Sequence, residues 1–348
     1  MSSHAACRAL LFGVTTSIAL AVPLAGQTSD ATPSYALTAT VPLGLQGYSD
    51  LDHDPATGRV FLAIREGLRV LDTRTGRIGP HLTALETSGA IEVAPDIRRA
   101  FAEIDDDYVG FIDLDSLELD HLARVSYPGT MMYAPETEEL FVFSDRVAEV
   151  VVFDGRNGER KRAIPLPGWG GTAVLRAPGR IYATVMPRED LYVVDTAEKG
   201  VTRFPLPRGI DFPKTRFTLV GDAAGRTLFA ADDFELFAVD AATGERLTRI
   251  RAQVASLLYD DEAGVLLAWM SEIGDWPQLK LVSFRLDNRR LLRVGEQRLP
   301  TEGGRLPYGT STGFVTGFTT GVPDITDRGL PAPSRKYVTV WAREMTGR

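Results

Sequence analysis

The stretch DPATGRVFLAI (54–64), followed at once by LRVLDTRTGRI (68–78), decides the architecture. A polar turn leads into an apolar strand. A second apolar strand then ends in an aspartate and another polar turn. The second half returns four more times, as GFIDLDSLEL (110–119), VVVFDGRNGER (150–160), LYVVDTAEKGV (191–201) and LFAVDAATGERL (236–247). The strand-ending aspartates are Asp72, Asp113, Asp154, Asp195 and Asp240, at intervals of 41, 41, 41 and 45 residues. The first half returns as APDIRRAFAEI (94–104), APETEELFVF (134–143), RAPGRIYATV (176–185) and GDAAGRTLFAA (221–231).

Each period holds four short strands. One precedes the first turn, one follows it, one ends at the aspartate, and one follows the second turn. Four strands in about 42 residues is the pattern of a β-propeller blade. The strands agree with this. RVFLAI, EVVVF and GVLLAW are apolar without clean alternation, as strands covered on both faces must be. Blade starts fall near Tyr48, Gly89, Gly129, Gly171, Arg216, Val254 and Tyr308, which predicts seven blades. The last has GFVTGFTTG, is interrupted by a Pro/Gly-rich insertion at about 319–335, and ends at KYVTVWARE, one strand short. ATVPLGLQG (39–47) matches two internal fourth strands, RAIPLPGWG (162–170) and TRFPLPRGI (202–210). The N-terminal strand is therefore expected to complete the last blade and remove two free sheet edges.

This repeat resembles the YVTN-type, surface-layer-like β-propeller family over roughly residues 39–300, and weakly beyond. The resemblance implies the fold and an exported protein. Binding scaffolds belong to that family, and sugar lactonases and the large subunit of amine dehydrogenases have a similar architecture. Function therefore has to be read from sites.

Ala9–Ala25 is uncharged and mostly apolar, preceded by Arg8 and ended by Gly26. This reads as a signal peptide over 1–26, with a polar tether over 27–34 and one propeller domain over 35–348; an uncleaved anchor is the alternative. A periplasmic or secreted location follows. Cys7 is the single cysteine and lies in the leader. The mature chain would then have no disulfide or thiolate metal site and would be held by burial alone. The net charge is −8 with both signs dispersed. This disfavours nucleic acid and permits a cationic partner. A monomer with no membrane span in its mature part is expected.

No catalytic motif is present: there is no G-x-S-x-G elbow, no phosphate loop, and no histidine grouping among His4, His53, His81 and His121. The repeated aspartates are best read as turn formers that accept backbone N–H groups. A stronger candidate is one face of the ring. Every second-to-third-strand loop carries a carboxylate: Glu66, Asp105-Asp106-Asp107, Asp145, Glu189-Asp190, Asp232-Asp233, and Glu272 to Trp276. Blade-joining loops bring Tyr48, Tyr127, Trp169, Arg216 and Tyr308 to the same face. Acids and aromatics around a channel mouth suit a small cationic or polyhydroxylated ligand, or a protein partner. The reading is thus a non-catalytic binding or interaction scaffold whose ligand-binding residues are Tyr48, Asp105, Asp106, Asp107, Tyr127, Trp169, Arg216, Asp232, Asp233 and Tyr308. No cofactor is expected, although a divalent cation such as calcium would suit channel carboxylates. The alternatives are a metal-dependent lactonase-like hydrolase and a propeller subunit of an amine dehydrogenase-like complex. For the metal reading only Asp50, Asp52 and Glu92 are placed to reach the axis.

Overall fold

The computed structural model describes residues 35–343, apart from 45–47, 55, 65–66, 73–74, 76, 83–88, 187–189, 199, 206–217, 223, 232–234, 262, 272–277, 303, 311–312 and 320–335. The proposed leader and tether, most of the last-blade insertion, and Arg216, Asp232 and Asp233 lie outside the described residues.

Within these limits the chain is all-β, with only two short 3-10 turns, at Pro95–Ile97 and Asp105–Asp107. Its strands form seven antiparallel four-stranded sheets. Six of the sheets take four consecutive strands. The first holds β2 (Tyr48–Asp54), β3 (Arg59–Ile64), β4 (Gly67–Asp72) and β5 (Arg77–His81). The second holds β6 (Ile91–Ala94), β7 (Arg99–Ile104), β8 (Tyr108–Asp113) and β9 (Leu119–Arg124). The third holds β10 (Pro128–Ala134), β11 (Glu139–Ser144), β12 (Glu149–Asp154) and β13 (Arg160–Pro165). The fourth holds β14 (Trp169–Ala177), β15 (Arg180–Met186), β16 (Asp190–Asp195) and β17 (Val201–Arg203). The fifth holds β18 (Thr218–Gly221), β19 (Thr227–Ala231), β20 (Glu235–Asp240) and β21 (Arg246–Arg251). The sixth holds β22 (Gln253–Asp260), β23 (Val265–Ser271), β24 (Gln278–Asp287) and β25 (Arg290–Glu302). In the seventh, β26 (Gly304–Thr310), β27 (Gly313–Thr319) and β28 (Lys336–Arg343) are joined by β1 (Tyr35–Gly44), which pairs antiparallel with β28. Four-stranded antiparallel sheets of this kind are propeller-like blades.

The apolar runs are explained by packing between blades. Every residue of β11, ELFVFS, is buried. Leu140 and Val142 face the second blade, in a core with Phe101, Phe111, Tyr133 and Phe153. Phe141 and Phe143 face the fourth, in a core with Ile181, Ala183 and Val194. A strand sandwiched this way has no face to give to water, so alternation disappears. The rings of Phe101 and Phe111 meet edge to face at 5.1 Å, and Phe111 meets Phe153 of the next blade at 6.2 Å. Truncating Phe101 to Ala would cost about 3–5 kcal/mol in lost burial and cavity. The fourth strands are different: β13 buries only Ile164 fully, as an outer strand with one packed side should.

The strand-ending aspartates act in the turns. Asp113 accepts from the amides of Asp115 (2.9 Å) and Ser116 (2.8 Å), Asp154 from Arg156 (3.0 Å) and Asn157 (3.2 Å), and Asp240 from Ala242 (3.0 Å) and Thr243 (2.8 Å). Asp195 accepts from Ala197 and Glu198, and Asp72 from Thr75. In three of these turns the residue four beyond the aspartate is left-handed: Gly158 (φ 73°), Gly244 (φ 71°) and, without glycine's freedom, Leu117 (φ 61°). After Asp113, Asp154, Asp195 and Asp240 the next residue ties this turn to the first turn of its own blade: Leu114 to Arg98, Gly155 to Glu138, Thr196 to Gly179 and Ala241 to Arg226, all N–H to carbonyl.

Candidate functional site: the face of the second-to-third-strand loops

The acids of this face arise where β7 must reverse into β8 within three residues. Asp105–Asp107 form a single 3-10 turn, with Asp105 in the left-handed region (φ 47°) that Asp tolerates better than most side chains. Asp105 and Asp106 are exposed and Asp107 is half-buried. Among the described residues their carboxylates make no hydrogen bond or ion pair. Their backbone is engaged: the carbonyls of Asp107 and Asp106 accept from the amides of Val125 (2.9 Å) and Tyr127 (2.8 Å) in the segment joining the second blade to the third.

Tyr127 is the hinge of this arrangement. It is left-handed (φ 51°), and its carbonyl accepts from the amide of Asp145 (3.0 Å) in the loop between β11 and β12. The guanidinium of Arg146 lies 4.0 Å from the centre of its ring, a cation–π contact. The Asp145 carboxylate packs over Gly129, where a Cβ would collide with it. Burial raises the Asp145 carboxyl above the usual range, and Arg146 beside it opposes the rise. Ser144 fastens the same loop: its hydroxyl donates to the Ser126 carbonyl (2.9 Å) and accepts from the Val147 amide (3.0 Å).

The structure brings together Asp105, Asp106, Asp107 and Tyr127 with the loop residues Asp145 and Arg146, and places Tyr108 and Val147 beside them. Arg146 was legible as a loop residue, but its place over Tyr127 depends on a bond between two blades. Three expected loop aromatics lie elsewhere in the backbone. Tyr48 and Trp169 open the inner strands β2 and β14, and Tyr308 lies inside β26. They pair with the second strand of their blade, Tyr48 opposite Ile64, Trp169 opposite Met186 and Tyr308 opposite Val315, so the ladder begins earlier than the turn-like sequence suggested. Trp169 is 53% exposed.

The acids expected to point at the channel axis have another partner. Asp50 accepts from the Ile91 amide (3.1 Å), Asp52 from the Val93 amide (2.6 Å), and Glu92 from the Tyr133 amide (2.8 Å). Each bond spans 41 residues, one repeat, and reaches the open edge of the next inner strand. An inner strand has hydrogen-bonded neighbours on one side only, so its other amides need acceptors. These side chains supply them and join the first blade to the second and the second to the third. Burial raises Asp52 from 3.8 to about 7, against amide bonds from His53 and Val93 that lower it and with Asp50 adding to the rise. Among the described residues no group of three His, Cys, Asp or Glu side chains is placed to hold a metal ion.

No family model matches the chain, and no curated protein matches it significantly. Many solved structures do. One is a chain of the crystal structure of a mitotic checkpoint complex, with a TM-score of 0.63 at 12% identity over 97% of this chain and 98% of that one. At that identity the likeness is one of fold.

Proposed function

We propose that this chain is an exported, non-catalytic interaction scaffold of the YVTN type, a ring of seven blades closed by its N-terminal strand, with its ligand site on the acidic and aromatic face of the second-to-third-strand loops. The observation that carries the reading is the contrast in carboxylate use. The strand-ending aspartates Asp113, Asp154 and Asp240 are engaged by turn amides and Glu138 and Glu139 by arginines, whereas Asp105, Asp106 and Asp107, three in a row, present their carboxylates from a hydrogen-bonded backbone beside the exposed aromatics Tyr108 and Tyr127. Groups kept in that state on a preorganised frame suit recognition. The protein complex that contains the similar fold is in keeping with a protein partner. Support for closure comes from β26, which lies against β22 on one side and β2 on the other, and from the pairing of β1 with β28.

Two experiments test this. A binding screen of the mature chain against calcium, amines, sugars and basic peptides, repeated with Asp105, Asp106 and Asp107 changed to Asn, should give a hit that the variant loses at low salt; a hit the variant keeps moves the site elsewhere. A chain beginning at Gly44 should lose several kcal/mol of stability as a ladder and apolar surface are stripped from the last blade. An unchanged melting curve would refute closure.

A further inference from the structure

We propose that this face carries, off the channel axis, a docking strip across the second to fourth blades for an extended protein segment that alternates basic and apolar side chains. The inference rests on the scaffold reading above and names the partner of its site.

The strip is defined first by apolar exposure. Among the described residues the exposed large hydrophobic side chains are Tyr108, Leu122, Tyr127, Val147, Trp169 and Leu292. Leu122 and Leu292 stand alone on outer strands. The other four follow one another along this face, on segments that backbone bonds tie together. The Tyr127 amide donates to the carbonyl of Asp106, two residues before Tyr108. The Tyr127 carbonyl accepts from Asp145, two residues before Val147. The Ala148 carbonyl accepts from Leu166 (2.9 Å), on the segment that leads to Trp169. Single exposed apolar side chains are ordinary, whereas a run of them edged by polar groups marks an interaction surface.

Charge then selects the partner. Interleaved with the apolar groups are Asp105, Asp106, Asp107, Asp145 and Glu149; among the described residues of the strip the opposing cations are Arg124 and Arg146. A second copy of a chain of net charge −8 would bring like charges together. A basic partner meets complementary charge along the whole strip. The Arg146–Tyr127 contact is an internal precedent, since it shows a guanidinium already seated on one of these rings; an incoming arginine can do the same on Tyr108 or Trp169. An extended segment fits because its side chains alternate, which lets basic groups face the carboxylates while apolar ones cover the rings.

The test uses the mature chain and three synthetic peptides of about twelve residues, alternating Arg with Leu, Arg with Ser, and Glu with Leu. The Arg/Leu peptide should bind about tenfold more tightly than Arg/Ser, and Glu/Leu should not bind. Changing Asp105, Asp106 and Asp107 to Asn should weaken Arg/Leu binding about tenfold at low salt and less at 0.15 M, roughly physiological ionic strength. The double variant Tyr108→Ser with Trp169→Ser should bring Arg/Leu down to the level of Arg/Ser. Unchanged melting curves establish that each variant is folded. Equal binding of Arg/Leu and Arg/Ser, or full retention by the variants, overturns the docking strip. If spermidine or a sugar then binds in a way that depends on Asp105–Asp107, the scaffold reading survives with a different partner. If no probe binds this face, both readings fall.

Discussion

The two faces of the propeller use the same residue type in opposite ways. On the face of the first-to-second and third-to-fourth-strand turns, aspartates are consumed by structure. Asp54 is fully buried, accepts from the Ala56 amide (3.0 Å) and the Thr57 hydroxyl (2.6 Å), and receives the Arg98 guanidinium of the next blade (3.1 Å). Burial pushes its carboxyl up, and these bonds overcome that and hold it below the ordinary value. On the other face, Asp105–Asp107 offer their backbone to the fold and their carboxylates to solvent. The difference lies in the turn. A turn with free inward amides binds its own aspartate, whereas a 3-10 turn whose carbonyls are already taken by the next blade leaves the side chains outside.

The largest test of this contrast is Asp54→Ala. It leaves the Thr57 hydroxyl and the Ala56 amide without their acceptor, and Arg98 with only its bonds to Asp115 (3.2 and 2.7 Å). A loss of about 3 kcal/mol is expected in urea unfolding. A loss below about 0.5 kcal/mol, the range of ordinary surface changes, would erase the distinction between the faces.

The inner-strand acids between the two faces give a pH dependence. The Asp52 carboxyl is raised to about 7 in the folded chain from 3.8. The folded state then holds a proton that the unfolded state releases between pH 4 and 7, so stability falls as pH rises through that window and levels off above it. Discounted for access to solvent, the change is about 2 kcal/mol. His53 works in the opposite direction, because burial lowers its imidazole below 6.5 and its contribution rises with pH up to that value. Melting curves of wild type and Asp52→Asn from pH 4 to 8 separate the two. The variant should lose the decline, and an identical slope in both would remove Asp52 from the account.

A smaller effect is expected at the turn aspartates. Asp154→Ala should cost about 1 kcal/mol by freeing the amides of Arg156 and Asn157. Burial raises the Asp154 carboxyl, but Lys161 and those amides outweigh it, and the Ser116 and Thr243 amides hold down Asp113 and Asp240. Their stabilisation is therefore complete above about pH 4 and lost as pH falls through the lowered values. An Asp154→Ala penalty that persists unchanged at pH 2 would contradict this. The smallest effect belongs to Asp105, Asp106 and Asp107, whose joint change to Asn should move stability by no more than about 0.5 kcal/mol. A larger drop in the melting temperature would mean that their side chains, too, support the fold.

The period of 41 residues, the apolar runs and the aspartates at strand ends made the four-stranded antiparallel sheets and the turn chemistry legible in the sequence. These depend on local pattern and on neighbours close along the chain. The sequence also marked Asp105–Asp107 and Tyr127 as residues of one face, because strand order alone places their loops there. It did not reveal that Asp50, Asp52 and Glu92 reach across to the next blade, although the bonded residues lie one repeat apart. Nor did it place Arg146 on Tyr127, Asp145 over Gly129, or Tyr48, Trp169 and Tyr308 within strands. Each of these depends on how two sheets sit against one another, and therefore on which amides, carbonyls and ring faces a neighbouring blade leaves open. Only the packed tertiary structure decides that, because the competing partners are distant in the chain and become neighbours only when the sheets pack.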